Sequence, residues 1–110
     1  MTERGERCEL CHREVPALTR HHLIPRTRHR KKSTRRTHDL AELRERVCML
    51  CPPCHKQVHA LVDARKLEQS FDTVEKLAAH PELTRFVAWV RKQRPEAKVT
   101  TYRSRERRDG

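Results

Sequence analysis

The sequence predicts a small α+β protein that is stabilised by bound metal as well as by its hydrophobic core. Of its 110 residues 35% are hydrophobic and 4% are aromatic, so the core must be thin. The first part of the chain contains two cysteine clusters with Cys-x-x-Cys spacing. It also contains two short stretches suited to β-strands, followed by a stretch of helical periodicity. We therefore expect one domain in which zinc contributes stability that the core does not supply.

Two short strands are expected in the first half of the chain. Residues 20–24 form the first strand, which Pro25 ends, and the apolar run Val47–Leu50 forms a second strand that pairs with it. A helix is predicted from residue 54 to about residue 67, because apolar residues recur there at helical spacing.

The segment between the strands is expected to be a loop followed by a short helix. The loop covers residues 26–38, which are strongly basic. Asp39 is suited to cap a helix at residues 40–46, with Leu40 and Leu43 on one side.

Three regions are expected along the chain. These are a core at residues 1–68, a helical appendix packed on it at residues 69–94, and a basic, disordered tail at residues 95–110. In the appendix, Asp72 is expected to cap the first helix and Pro81 to open the second. The apolar face of that second helix is predicted to join the core through Leu83, Phe86, Val87 and Val90.

The charge of the chain favours a polyanionic partner, of which nucleic acid is the commonest. The net charge is +11, from 26 Lys and Arg residues against 15 Asp and Glu residues. Residues 26–36 hold a concentrated part of this excess and no acidic residue. The predicted phosphate-binding residues of this basic run are Arg26, Arg28, Arg30, Lys31, Lys32, Arg35 and Arg36. Phosphate contacts of this kind carry no base-specific information.

The sequence gives no sign of a membrane segment. No apolar run approaches the roughly 18 residues of a membrane-spanning helix, and the first residues lack the apolar region of a secretory signal. We therefore expect a cytoplasmic protein without a membrane partner. In a reducing compartment, cysteines at this spacing favour zinc over disulfides.

The cysteines are predicted to hold one structural zinc ion. The four ligands that we assign are Cys8, Cys11, Cys51 and Cys54. Cys48 stands three residues before Cys51, so a pairing of these two also fits the spacing; we favour Cys48 as a buried strand residue because it lies inside an apolar run. His12, directly after Cys11, is a further alternative ligand.

Two pairs of histidines indicate a second metal site. His21 and His22 are adjacent, and neighbours on a strand point to opposite faces, so these two side chains cannot share one role. His55 and His59 are four residues apart and fall on one face of the predicted helix. Three imidazoles could then bind one ion while the fourth acts as a base. Lys56 stands where a zinc protease needs a glutamate, which argues against a peptidase.

The joint pattern resembles the HNH endonuclease family, in its subgroup with a zinc knuckle. The pattern consists of Cys-x-x-Cys, then His-His-Leu-Ile-Pro, then Leu-Cys-x-x-Cys-His-x-x-x-His, and it covers about residues 8–60. The resemblance implies a ββα-metal core, also called a His-Me finger, in which two strands and a helix surround one catalytic divalent ion. It also implies hydrolysis of phosphodiester bonds in DNA.

The resemblance gives each histidine of the two pairs a role. His22 matches the general base that activates the attacking water, and His21, His55 and His59 match the ligands of the divalent ion. The family implies Mn²⁺, Ni²⁺, Zn²⁺ or Mg²⁺ at this site. Imidazole ligands favour the transition metals, because Mg²⁺ prefers oxygen ligands.

One position departs from the family pattern. The chain contains no asparagine, so the middle residue of the motif, which orients the loop and the base in the family, is replaced. The spacing puts that position near Glu45 or Arg46, and His38, Asp39 and Glu45 are the substitutes that we consider. The replacement makes cleavage activity the central question for this chain.

The predicted function is a metal-dependent DNA endonuclease with little sequence specificity. The main alternative is a zinc module that binds nucleic acid without cutting it, which would show salt-sensitive binding alone. A toxin-like ribonuclease, or a subunit of a larger restriction or packaging complex, is a third interpretation. A homodimer is compatible with each of them.

Overall fold

The structure is a computed structural model that describes residues 6–94. These residues form two small antiparallel sheets and a series of short helices. The strands are β1 Glu6–Arg7, β2 Glu14–Val15, β3 Thr19–His22 and β4 Val47–Leu50. The helices are α1 Lys32–Thr37, α2 Leu40–Glu45, α3 Pro52–Leu61, α4 Ala64–Ser70, α5 Val74–Ala78 and α6 Pro81–Val90, with a 3-10 helix at Arg26–Arg28. None of these helices is long and apolar enough to cross a membrane. The predicted disordered tail at residues 95–110 lies outside the described residues.

Strands β3 and β4 form an antiparallel pair, so the predicted pairing of these two strands is confirmed. Thr19 of β3 lies opposite Leu50 of β4. Strand β3 ends at His22, two residues before the end predicted for this strand. Side chains alternate along a strand, which places Thr19 and His21 on one face of β3 and Arg20 and His22 on the other. The two adjacent histidines are therefore separated by the strand itself.

The first sheet encloses the turn that carries Cys8 and Cys11. Strands β1 and β2 pair on either side of this turn, and the amide of His12 donates to the carbonyl of Cys8 at 2.9 Å. His12 has a φ angle of 65°, a left-handed conformation that few non-glycine residues adopt. The amide of Glu9 donates to the carbonyl of Met49 at 2.9 Å, which joins the turn to β4.

The loop prediction for residues 26–38 is wrong for most of that stretch, because the 3-10 helix and α1 occupy it. The carboxylate of Glu68 in α4 contacts this segment at two positions. It accepts a hydrogen bond from the Thr34 hydroxyl at 2.6 Å and from the Arg28 guanidinium at 2.6 Å. Burial raises the pKa of Glu68, but the two hydrogen bonds and the nearby charges of Arg28 and His38 together lower it, so the net shift is downward. The local sequence does not reveal this contact, since α4 lies about 30 residues further along the chain.

The predicted helix at residues 54–67 is divided into α3 and α4. Helix α3 begins earlier than predicted because Pro52 and Pro53 occupy its first turn, where an amide donor is not needed. It ends at Leu61, because the next residue, Val62, is extended, with φ −131° and ψ 124°. Asp63 then caps α4, since its carboxylate accepts from the Lys66 amide at 2.9 Å.

Two predicted helix caps have different outcomes. Asp39 caps α2 as predicted, and its carboxylate accepts from an amide of the first turn at 2.8 Å. The cap of α5 is Thr73 and not Asp72, since the Thr73 hydroxyl accepts from the Lys76 amide at 3.1 Å. The Asp72 carboxylate binds the side chains of Lys76, at 3.0 Å, and Arg46, at 3.4 Å.

Helix α6 packs against α3 and contributes to the main core. The apolar face predicted for it is confirmed, since Leu83, Phe86, Val87 and Val90 are all buried. Trp89, on the same helix, is 47% exposed. The core cluster also contains the cysteines of the two Cys-x-x-Cys pairs, so the apolar packing and the candidate zinc site form one unit centred on α3.

Candidate functional site

Four buried thiols meet between the β1–β2 turn and the start of α3. Cys8, Cys11, Cys51 and Cys54 are each at most 2% exposed, and their sulfur atoms all lie within 4.8 Å of one another. The Sγ atoms of Cys11 and Cys51 are 3.8 Å apart. Two thiolates bound at about 2.3 Å to one tetrahedral zinc ion would stand about 3.8 Å apart. The group is therefore compatible with a structural zinc ion.

The two cysteine pairs reach this group from different local structures. In the β1–β2 turn, the amides of Leu10 and Cys11 both donate to Cys8 Sγ at 3.4 Å, which orients that sulfur. The second pair lies at a helix N-terminus: Cys51 is the residue before α3, and Cys54 lies in its first turn. Hydrogen bonding to Cys11 raises the pKa of Cys51 and of Cys54, whereas their position at a helix N-terminus favours the thiolate form.

Arg13 is a charged partner of the thiols that no sequence pattern indicated. Its Nε donates to Cys11 Sγ at 3.3 Å and its Nη2 to Cys51 Sγ at 3.5 Å, while Nη1 donates to the carbonyls of Gln93 and Arg94 at 3.2 and 3.1 Å. Hydrogen bonding to the other thiols, that of Cys51 first, lowers the pKa of Cys11, and Arg13 lowers it further. The guanidinium would offset part of the negative charge of a zinc ion with four thiolates.

The fifth cysteine stays apart from this group. Cys48 lies in β4, is 1% exposed and is absent from the four-thiol group, so its prediction as a buried strand residue is confirmed. Burial, and then Glu9 and Cys8, raise the pKa of Cys48 to about 12, which keeps it protonated. His12 is exposed and is likewise outside the group.

Three imidazoles converge between β3 and α3. The candidate ligand nitrogens of His21, His55 and His59 lie within 4.8 Å of one another. The ring centroid of His21 is 5.2 Å from each of the other two, which are one helical turn apart and separated by 5.0 Å. Their exposure increases from His21, which is buried, through His55 to His59, which is exposed. This second group could also hold a metal ion, at a position that opens to solvent on the His59 side.

His21 gives the clearest indication of a bound ligand. It is fully buried, and within residues 6–94 neither of its ring nitrogens has a hydrogen-bond partner. Leaving a buried polar group without a partner costs about 1–3 kcal/mol, so an arrangement of this kind calls for a compensating ligand. Burial, and then the other nearby histidines, lower the pKa of His21 to about 3. The ring is therefore neutral at neutral pH, the form in which imidazole binds metal ions.

Thr19 determines which nitrogen of His55 faces the ion site. Its hydroxyl donates to the Leu50 carbonyl at 2.9 Å and lies 2.7 Å from Nδ1 of His55. A hydroxyl has one proton, so the second bond must be donated by Nδ1–H of His55. Nε2 of His55 is then the deprotonated nitrogen that remains to bind a metal. Burial, and then His59, lower the pKa of His55, which favours this neutral form.

Thr19→Val is expected to weaken ion binding at the three-histidine group by about 10- to 100-fold, because the hydrogen bond that sets the His55 tautomer is lost. Val keeps the size and the strand preference of Thr, so the fold should be retained. Titration with Co²⁺ or Ni²⁺, followed by absorption spectroscopy, measures the change. Thr19→Ser retains the hydroxyl and serves as the control; if Thr19→Val bound the ion as tightly as Thr19→Ser, this role would be refuted.

His22 lies on the opposite face of β3 and is half-buried. Its ring centroid is 5.9 Å from that of His29, a buried histidine whose Nε2 donates to the Ile24 carbonyl at 2.8 Å. Burial, and then His29, Arg26 and Arg20, lower the pKa of His22. A lowered pKa keeps the ring unprotonated at neutral pH, which is the state that a general base requires.

An open cavity of about 970 Å³ adjoins His22. We call it the arginine cleft, because Arg20, Arg26, Arg30, Arg35 and Arg44 line it. Three of the seven predicted phosphate-binding residues line this cleft, namely Arg26, Arg30 and Arg35. Lys31, Lys32 and Arg36 are exposed outside the cleft, and Arg28 forms an ion pair with Glu68. Arg20 and Arg44 lie outside the basic run and were not predicted.

The three residues considered as substitutes for the missing asparagine have other contacts. Asp39 caps α2, His38 lies 2.9 Å from the carboxylate of Glu42, and Glu45 is exposed at the end of α2. None of the three lines the arginine cleft around His22.

The fold and the site together define a small α+β protein with two groups of side chains that could hold metal ions. Among curated proteins, the chain is 40% identical over 101 residues to "Uncharacterized protein YisB" of Bacillus subtilis (strain 168). The similarity covers 92% of this chain and 89% of YisB, so the chain belongs to the same family as YisB. No family model matches this sequence, and no solved structure matches it.

Proposed function

We propose that the protein is a metal-dependent endonuclease of the HNH type that hydrolyses phosphodiester bonds in DNA with little sequence specificity. The observation that carries this proposal is the buried, unpartnered imidazole of His21, which converges with His55 and His59 while His22 faces a cleft rich in arginine. The arrangement of β3, β4 and α3 around the three histidines supports a ββα-metal core.

The chain itself can supply the base and the phosphate contacts of such a reaction. His22, whose pKa is lowered, accepts a proton from the attacking water, and the nearby guanidinium groups orient the phosphate oxygens. His21, His55 and His59 would hold a divalent ion, which when bound would supply charge neutralisation at the phosphate and assistance to the departing oxygen. Mn²⁺, Ni²⁺ and Zn²⁺ suit this imidazole set better than Mg²⁺.

The four-thiol group has a separate, structural role in this proposal. Zinc bound by Cys8, Cys11, Cys51 and Cys54 anchors the N-terminus of α3, the helix that carries His55 and His59. A four-thiolate site leaves zinc no open position for substrate, as in other structural zinc sites. The two proposed ions therefore differ in both ligands and function.

The second candidate function is a zinc module that binds nucleic acid without cutting it. The arginine cleft favours this alternative as much as it favours the nuclease, since phosphate binding needs only the cations. The exposure of His59 favours the nuclease over the binding module, because an ion site with a purely structural role has no need to open to solvent.

A plasmid-nicking assay tests the proposal. The protein is dialysed against a mild chelator until one zinc ion per chain remains, and Mg²⁺, Mn²⁺, Ni²⁺ or Zn²⁺ is then added back. We expect cutting that depends on the added ion and is stronger with the transition metals than with Mg²⁺. DNA binding without cutting in the presence of every ion would contradict the nuclease and support the binding module.

A further inference from the structure

The arginine cleft collects positive charge that the described chain does not balance. Within residues 6–94, Arg20, Arg26, Arg30 and Arg44 form no hydrogen bond or ion pair through their guanidinium groups. Arg35 donates only a long hydrogen bond of 3.5 Å to the His29 carbonyl. Among the residues that the structure describes, no Asp or Glu lines the cavity. Like charges that face one space repel one another, so this arrangement favours an anionic ligand from outside the chain.

The cleft is assembled by the fold and does not simply follow the basic run. Arg20 extends from β3 and Arg44 belongs to α2, whereas the other arginines that line the cavity belong to the segment between these elements. Arg28, although it lies within the basic run, points to Glu68 at 2.6 Å and has its charge neutralised there. The tertiary structure therefore places some of the arginines at this cavity, whereas other cationic residues of the basic run lie outside it.

The lining of the cleft matches phosphate better than nucleobases. Guanidinium groups bind phosphate oxygens through paired hydrogen bonds. Neither Phe, Tyr nor Trp lines the described cavity, so it lacks the aromatic platforms on which unpaired bases usually stack. Its volume of about 970 Å³ leaves room for more than one phosphate group.

We propose that the arginine cleft binds consecutive phosphates of one DNA strand next to the bond that is cut, with Arg20 and Arg44 as its principal phosphate contacts. Arg20 and His22 are two residues apart and share one face of β3, so a strand bound by Arg20 passes the candidate base. The inference rests on the proposed nuclease function for the position of the cut bond. Binding through phosphates alone accounts for a protein that is indifferent to sequence.

The test measures binding rather than cleavage. Zinc-loaded, full-length protein is titrated into a fluorescein-labelled DNA duplex without any added divalent ion, and anisotropy is recorded over a series of salt concentrations. The test variant is Arg20→Gln with Arg44→Gln. The control is Arg65→Gln with Arg85→Gln, which removes the same charge from exposed positions of α4 and α6 outside the cleft.

We expect the cleft variant to bind at least about 10-fold more weakly and to lose about 2 units from the slope of log K against log salt, one for each phosphate contact removed. The control should change the slope by less than about half of that amount. Equal effects of the two variants would overturn the inference, since binding would then depend on net charge alone. Wild-type protein that does not bind DNA would overturn it as well.

A second variant guards against misfolding, since Arg20 lies in strand β3, which pairs with β4. If the first variant loses the cooperative thermal transition of wild type, Arg44→Gln alone removes one principal contact outside the strands, with Arg85→Gln as its control, and a loss of about 1 unit from the slope is expected. The binding result is independent of the nuclease proposal. Binding through the cleft without cutting would leave this phosphate site standing, whereas cutting with an unchanged slope in the cleft variants would remove it and leave the nuclease.

Discussion

Cys51→Ser is expected to leave the protein largely unfolded. Cys51 is fully buried, belongs to the four-thiol group and precedes α3, so its loss removes a zinc ligand from the centre of the core. Structural zinc contributes apparent binding energies of about 10–16 kcal/mol in small zinc domains, as large as the about 5–15 kcal/mol stability of a typical protein. Far-UV circular dichroism and the zinc content per chain measure the outcome. A strong chelator should unfold wild-type protein in the same way.

Cys48→Ala is the matched control for this prediction. Cys48 lies three residues away and is equally buried, at 1% exposure, but it is not in the four-thiol group. Its replacement should cost about 1 kcal/mol through a small cavity and leave the zinc content unchanged. If Cys51→Ser melted like wild type, or if Cys48→Ala lost zinc, the assignment of the structural site would be wrong.

His22→Ala is expected to reduce DNA cleavage by about 10²- to 10⁴-fold while the fold and the zinc content are retained, because it removes only the general base. The ring is half-buried on the cleft side of β3, away from the three-histidine group and from the main core. The plasmid-nicking assay with the most active ion measures the loss, and anisotropy shows whether the duplex is still bound. Cutting at the wild-type rate would refute the catalytic assignment.

Two further variants separate a base from an ion ligand in that experiment. His59→Ala removes an exposed ligand of the proposed catalytic ion, so part of its activity should return as the ion concentration is raised. His22→Ala should show no such recovery. His12→Asn tests for a general effect of losing a histidine, since His12 is exposed and Asn tolerates its φ of 65°. That variant should cut like wild type.

The features that the sequence determined by itself are those that depend on local geometry. The four-residue spacing of His55 and His59 places both on one face of a helix wherever that helix packs. The pairing of Val47–Leu50 with the first strand, the cap at Asp39 and the apolar face of α6 likewise follow from strand and helix periods. The local pairs within the candidate ligand groups could be predicted for the same reason, because Cys-x-x-Cys and His-x-x-x-His restrict the positions of their own side chains, whereas the meeting of these pairs with distant ligands depends on tertiary packing.

The remaining features were decided by contacts between distant parts of the chain. The carboxylate of Glu68 binds Arg28 and Thr34, which lie in a segment that local patterns predict as loop. Arg13 reaches the thiols of both cysteine pairs, and Thr19 selects the His55 tautomer across 36 positions of sequence. Arg20 and Arg44 join one cleft only because β3 and α2 pack together. Local periods determine which residues share a face of one element, but the direction in which a long polar side chain points depends on the elements that pack around it.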